Sequence, residues 1–344
     1  MTWNVWAQPL SETEARLTEA GFPRYRAKQI HDYLYRRFVY SFDDMKQLPE
    51  TLRTWLKEHA AVIRTERIRV QRSSDGETTK LLLKLPDGSL VETVCMHHDY
   101  GNSICVSTQV GCAMGCIFCA STLNGCKRNI TAGEMLAQVY AFLEEGVDRI
   151  HSIVLMGSGE PLHNYDEVLR FIHLCHDEEM LHLSYRNITL STVGIVPQIY
   201  RLADEGLPIT LAISLHAPND VIRNHIVPAS RHFAMDDLLR AAAYYFRTTG
   251  RRITFEYILI HGINDSADNA KELASRVGKL NCHINLIPIN GNEHIQLLPP
   301  SKKGIRQFES ILARAGKSVT VRRQMGDEIE AACGQLKRRY LDKK

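Results

Sequence analysis

No stretch of the 344-residue chain approaches the roughly 20 consecutive apolar residues of a membrane-crossing helix, and Met1 to Leu10 lacks a basic region followed by an apolar run. The expectation is a cytoplasmic address with no membrane partner. Net charge is small as well: 42 Lys and Arg against 39 Asp and Glu leave +3, too mild to demand a nucleic-acid partner. The end is locally basic at Lys337, Arg338, Arg339, Lys343 and Lys344, a pattern that usually marks solvated surface. There are no internal repeats, no low-complexity tract and no long linker. A pair of CxxC elements, the usual mark of structural zinc, is missing too.

What remains is an ordinary globular composition, 44% hydrophobic and 24% charged, long enough for one large domain and a small one. Residues 1–60 read as a helical module. Ser11 and Glu14 have capping-box spacing, and Tyr25, Ile30, Tyr33 and Leu34 recur at helical intervals. Residues 61–97 turn to strands, at 67–70, 80–85 and 90–96, with a Pro86-Asp87-Gly88 turn, and predict a short antiparallel linking sheet.

From 98 to 344 apolar runs at 104–107, 153–156, 187–191, 211–215, 254–260, 284–287 and 319–321 alternate with helical patterns. One helix opens with a capping box at Thr131 and Glu134; others cover 165–175, 196–205, 235–247, 266–277 and 302–315. This alternation predicts an α/β fold with a parallel sheet and function at the carboxyl ends of its strands. Six or seven units are too few for an eight-fold barrel, so an open, partial (β/α)6-type barrel is expected.

The chain carries nine cysteines. Three of them, Cys112, Cys116 and Cys119, lie on one loop just after the first strand of the alternating region. Three thiolates so spaced can ligate three irons of a [4Fe–4S] cubane and leave the fourth open. CxxxCxxC is the sequence mark of radical S-adenosylmethionine (SAM) enzymes, in which SAM occupies that iron. A structural zinc site is the competing reading, and would need a fourth ligand such as Cys126 or Cys105.

Gly157-Ser158-Gly159-Glu160-Pro161-Leu162 follows the next strand. Glycines there would let a ligand approach the backbone, and the Glu160 carboxylate could receive an ammonium group. Later strand ends carry Ser191, then Ser214-Leu215-His216, then Asn290. Polar residues at successive strand ends suit a ligand lying across the top of a barrel.

Over nearly its whole length the chain resembles the dual-specificity RNA adenine methyltransferases of the RlmN/Cfr type. The resemblance rests on Cys105-Val106-Ser107-Thr108-Gln109-Val110-Gly111-Cys112, Gly159-Glu160-Pro161-Leu162, Ser214-Leu215-His216-Ala217-Pro218-Asn219, Phe255-Glu256-Tyr257, Asn285-Leu286-Ile287-Pro288 and Ala331-Ala332-Cys333-Gly334-Gln335-Leu336. It implies a ping-pong reaction that uses two SAM per turnover. One SAM methylates Cys333, and a second, cleaved at the cluster, activates that methyl group to add to carbon 2 of an adenine. Cys105 then resolves the protein–RNA adduct by forming a disulfide with Cys333, and Glu92 takes the ring proton. By the same resemblance Gly159, Glu160, Ser191, Ser214, Leu215, His216 and Asn290 contact SAM. The implied substrates are adenine 2503 of 23S rRNA and adenine 37 of tRNA; the implied electron donor is a flavodoxin or ferredoxin, and the implied state a monomer.

Ser158 and the stretch after Cys119 depart from the commoner family pattern without removing a group the reaction uses. Cys126 reads as a packing residue, and Cys95, Cys175 and Cys282 as core thiols. Pro161, where the carbon-8 branch tends to have Ala, favours carbon 2. Arg24, Arg26, Lys28, Arg36 and Arg37 make the helical module a candidate RNA-docking element. Two readings from other classes stay open: a radical SAM enzyme acting on a protein glycine or a small molecule, and a zinc-stabilised RNA-binding protein without catalysis.

Overall fold

The computed structural model describes residues 3–290, 297–323 and 325–331. The chain opens with strand β1 (Trp3–Asn4) and helices α1 (Leu10–Glu19), α2 (Arg26–Tyr35) and α3 (Glu50–His59), then β2 (Ala60–Ala61), which pairs in parallel with β1. Pro9, not Ser11, precedes α1, so Ser11 falls within the first turn and the capping box expected there does not form. Glu14 instead turns inward and pairs with Arg24 at 2.6 Å. Ile30, Tyr33 and Leu34 form the buried face of α2 as their spacing predicts, but Tyr25 stays exposed, just ahead of the helix.

Four strands follow: β3 (Glu66–Arg72), β4 (Thr78–Lys84), β5 (Leu90–His98) and β6 (Gly101–Cys105). A short hairpin, β7 (Gln109–Gly111) with β8 (Cys126–Asn129), leads to α4 (Ala132–Glu144). Then come β9 (Ile150–Leu155), α5 (Tyr165–His176), β10 (Ile188–Thr192), α6 (Val196–Asp204), β11 (Thr210–Ser214), α7 (Asp220–Ile226) and α8 (Met235–Thr249). The last elements are β12 (Ile253–Leu259), α9 (Ala267–Val277), β13 (Cys282–Pro288), α10 (Lys302–Arg314) and β14 (Ser318–Val321).

Among the described residues ten strands form one sheet, in the order β14-β13-β12-β11-β10-β9-β6-β5-β4-β3. From β6 to β14 neighbours run parallel and in chain order; from β6 back to β3 they run antiparallel. The sequence predicts a short antiparallel sheet, and its strands extend the parallel one, because β6 pairs with β5 on one edge and with β9 on the other. Among the described residues β3 and β14 are the two free edges and the barrel is open, with six strand–helix units between β6 and β14. The capping box at Thr131 and Glu134 forms as predicted, and Ser266 with Asn269 makes another. The hairpin β7–β8 and the helix α7 carry too little apolar periodicity to be read in advance.

Trp6 joins the N-terminal helices to the sheet. It is buried against Tyr35 (ring centroids 5.1 Å apart) and Tyr140 of α4 (5.3 Å), and its Nε1 donates to the Gly133 carbonyl at 2.8 Å. Burying an indole of this size with its N–H satisfied contributes about 2–3 kcal/mol. No helix among the described residues is long and apolar enough to cross a membrane.

Candidate active site at the strand ends

The hairpin β7–β8 sets the geometry of the cysteine loop. Gly111 has φ 82°, and a Cβ on it would lie 2.0 Å from the Gly125 carbonyl oxygen, which accepts the Cys112 N–H at 3.0 Å. Only glycine allows this closure. The loop is further fixed by Ile117 N–H donating to Ile226 at the end of α7, and by the Thr122 hydroxyl donating to the Cys119 carbonyl at 2.8 Å. Cys112 and Cys116 are buried and Cys119 is half-buried, packed with Met114, Ile226, Val227 and Ile258. Burial pushes the Cys112 thiol up to about 12 and that of Cys116 well above its usual range, so their thiolates need a strongly cationic partner.

The donor set suits a cubane. A zinc ion requires its ligands to converge on a single point, and among the described residues no three His, Cys, Asp or Glu side chains do so. The thiols of a cubane each bind a separate iron and need no such convergence.

One cavity joins this loop to the sheet. Cys112, Cys116 and Cys119 line it with Gly159, Glu160, Ser191, Ser214, His216 and Asn290. Leu215 is the exception among the expected SAM contacts: its side chain lies in the core, and its N–H donates to the Ile213 and Glu256 carbonyls. The glycine turn also differs in cause from the expectation. A Cβ on Gly157 would meet Ser107 Oγ at 2.6 Å, and one on Gly159 (φ 114°) would meet Gln109 N at 2.7 Å. The close approach these glycines permit is made by the chain's own segment 107–109, which is bonded to them through the Ser158 carbonyl.

Glu160 is buried at the wall of this cavity. Its Oε1 accepts the Leu162 N–H at 3.0 Å and its Oε2 the Val193 N–H at 2.8 Å. Burial nevertheless raises its pKa to about 7, with the N–H donors opposing the rise. His216 takes φ 59°, its Nδ1 accepts the Ile258 N–H at 3.1 Å, and its ring meets Phe118 of the cysteine loop edge-on at 4.9 Å. Burial first, then the Arg223 charge, hold its pKa down at about 3, so the imidazole is neutral with its proton on Nε2.

The expected base and resolving thiol sit on the antiparallel side of β6. Register pairs Leu82 with Glu92, Lys80 with Val94, and Val94 with Cys105, so the side chains of Lys80, Glu92, Val94 and Cys105 share one face. Glu92 is buried there and pairs with Lys80, Nζ to Oε1, at 3.3 Å. Cys105 and Val94 form a small apolar cluster with Met96, Val154, Met156 and Ala331. Met156 also lines the cavity, so this face runs on to the cysteine loop. Cys333 lies outside the described residues.

Comparison with known proteins agrees with this geometry. Residues 106–274 match the Radical SAM superfamily, and residues 8–62 match the ribosomal RNA large subunit methyltransferase N-terminal domain. The sequence is 46% identical over 338 residues to a probable dual-specificity RNA methyltransferase RlmN of Clostridium novyi (strain NT), covering 98% of each chain. The chain belongs to the RlmN family of radical SAM RNA methyltransferases. A second relative in this family, a probable dual-specificity RNA methyltransferase RlmN of Desulforamulus reducens, is 47% identical over 97% of this chain and 95% of its own. The solved structure of a radical SAM methyltransferase from Sphaerobacter thermophilus superposes with a TM-score of 0.93 at 44% identity, over 97% of this chain and 99% of that one. Membership of the radical SAM superfamily implies a [4Fe–4S] cluster and SAM as cofactors.

Within this RlmN-family fold, Arg223 and Arg322 escape sequence reasoning, and Glu256 is singled out there only as part of Phe255-Glu256-Tyr257. Arg223 is fully buried; its guanidinium donates to the carbonyls of Leu215 (3.2 Å), Ser214 (3.4 Å) and Val193, tying two strand ends together. Glu256 and Arg322 line the cavity from β12 and from just beyond β14. No spacing signal marks these residues. The basic side chains of the N-terminal module are engaged within the chain: Arg24 with Glu14, Lys28 and Arg36 with Glu179, Arg37 with Asp32, and Arg26 with Gln29. Cys95, Cys175 and Cys282 are buried, as core thiols should be, and Cys126 is half-buried on β8.

Proposed function

We propose that this enzyme methylates carbon 2 of adenine, at position 2503 of 23S rRNA and position 37 of tRNA, through a methyl group carried on Cys333. The observation that supports this most directly is the packing of Ala331 against the cluster formed by Val94 and Cys105. Ala331 stands two positions before Cys333 in the sequence, which supports Cys105 as the second thiol of the proposed pair.

Carbon 2 lies between two ring nitrogens and is electron-poor, so polar transfer of a methyl cation cannot reach it. When bound at Cys112, Cys116 and Cys119, the cluster together with SAM supplies a radical able to take a hydrogen atom from a methyl group. The remaining tasks fall to the protein. Glu160 receives the ammonium group of SAM, while Gly159, Ser191, Ser214, His216 and Asn290 frame the rest. Cys333 presents the methyl carbon to the base, first having taken it from one SAM, so that two SAM are used per turnover. Glu92 accepts the ring proton. Cys105 attacks the sulfur of Cys333; the S–S bond forms as the S–C bond to the base breaks, the freed carbon takes a proton to become the methyl group, and external thiols later reduce the disulfide.

The test is a pair of variants on reconstituted enzyme with SAM and 23S RNA. Cys333→Ala is expected to give no methylated adenine with the cluster intact, and Cys105→Ala to leave RNA covalently held on the protein. Methylated adenine from Cys333→Ala would sink the proposal. Analysis of the product nucleoside decides between carbon 2, which Pro161 after Glu160 favours, and carbon 8.

A further inference from the structure

We infer that Lys80 is a positioning residue that holds the Glu92 carboxylate and the chain leading to Cys333 in one arrangement. This inference rests on the roles proposed above for Glu92 and Cys333.

Lys80 is 4% exposed, in a strand buried at every position but the last, between Thr79 and Leu81. An ammonium group there is costly unless it is paired and hydrogen-bonded, and an apolar pair of similar volume would serve stability as well or better. Two partners meet it. Its Nζ lies 3.3 Å from Glu92 Oε1 and donates to the Glu330 carbonyl at 3.1 Å. One cation therefore bridges the strand carrying the proposed base and a residue three positions before Cys333.

The rest of the β3–β4 hairpin receives the same segment. The Ser74 hydroxyl donates to Glu328 Oε2 at 2.9 Å, and Arg323 pairs with Glu77 at 3.0 Å. A Cβ on Gly326 would meet Thr78 Cγ2 at 2.8 Å, and the Gly326 carbonyl accepts the Ala331 N–H at 2.9 Å. Glu330 has φ 53°, a left-handed turn that directs the chain back toward Cys105 through Ala331. The antiparallel extension of the sheet is thus a cradle for the approach to Cys333, and Lys80 is the point where that cradle touches the base. Among the described residues, register places Lys80 from β4 and the Cys105 thiol from β6 on the face of Glu92; the positive charge of Lys80 favours the ionised carboxylate.

The experiment compares Lys80→Met, Lys80→Arg and Glu92→Gln, each anaerobically reconstituted and assayed for RNA methylation in single turnover across pH. Iron content and melting temperature serve as folding controls. Lys80→Met is expected to slow RNA methylation at least tenfold and to move the acid limb of the rate profile to higher pH. Lys80→Arg, which keeps the charge, should return the limb to the wild-type position and most of the rate. A Lys80→Met profile with its acid limb unmoved, or a Lys80→Arg enzyme as slow as Glu92→Gln, overturns the inference. A Glu92→Gln enzyme working at the wild-type rate instead overturns the assignment of the base on which it rests.

Discussion

The carboxylate of Glu160, beyond the end of β9, accepts the backbone N–H of Val193, beyond the end of β10, at 2.8 Å. This bond joins two neighbouring strand ends and leaves a carboxylate whose burial has raised its pKa to about 7. Its ordinary value is 4.5, so the folded protein without ligand binds a proton that the unfolded chain has lost. That contribution to stability is complete below pH 4.5 and disappears as pH rises through 7. A cationic ligand reverses the preference, because only the ionised carboxylate attracts it. SAM should therefore bind more weakly below pH 7 than above it, and Glu160→Gln should bind weakly with no such dependence. Equilibrium dialysis of reconstituted enzyme across pH 5.5 to 8.5 measures both; equal slopes for wild type and variant would refute the role.

Gly159→Ala should be far more damaging than a substitution at an open glycine. The added Cβ would lie 2.7 Å from the Gln109 backbone nitrogen, in a backbone already at φ 114°, and it cannot move without separating segment 107–109 from the turn. A cost of about 3 kcal/mol is expected from strain and lost packing. Gly206→Ala, at φ 67° with nothing within 4 Å, should cost only about 1 kcal/mol. Denaturant titration of the two variants gives the comparison, and similar costs would show that the close approach does not matter.

The parallel half of the fold was legible because most of its strands carry buried apolar side chains at alternate or successive positions, while helices alternate with them at regular intervals. The cysteine loop was legible because its spacing is local. Register was not, and register is what places Cys105 beside Val94 and Lys80 near Glu92: these pairs are separated by 11 and 12 positions along the chain and meet only through strand pairing. The glycine turn shows a different failure. Its residues were singled out correctly, but sequence cannot say whether a ligand or the protein's own backbone occupies the space beside a glycine. Arg223 was hidden for a similar reason, since its partners are carbonyl groups and carry no side-chain signature.

Arg223→Met should destabilise the protein and loosen the cavity wall. The guanidinium is desolvated enough to lower its pKa to about 10, yet it donates to the carbonyls of Leu215, Ser214 and Val193, of which Leu215 is fully buried. Removing it leaves buried acceptors unsatisfied, a loss of about 3 kcal/mol. Arg223→Lys should recover little, because an ammonium cannot reproduce the planar fork that reaches several carbonyls. Unfolding free energies test this, and full recovery by lysine would mean that charge alone is what the site needs.

His31 offers a pH test of how firmly the N-terminal helices are built in. Its ring is buried against Tyr35, with Nε2 3.1 Å from Thr13 Oγ1, and burial lowers its pKa to about 4 although the Glu14 charge pulls the other way. Its ordinary value is 6.5, so between pH 6.5 and 4 the unfolded chain takes up a proton that the folded protein refuses. The stability associated with neutral His31 is thus complete above pH 6.5 and lost as pH falls toward 4, in all about 3 kcal/mol. His31→Gln cannot titrate and should lack this component. His216 is depressed in the same direction, but it is present in both proteins and cancels in the difference. The expected result is a wild-type advantage at pH 7 that shrinks and then reverses by pH 4.5, followed by urea unfolding at fixed ionic strength. A gap between wild type and variant that is the same at both pH values would mean that the imidazole stays accessible to protons, and that the packing of α2 against α1 is looser than its buried face implies.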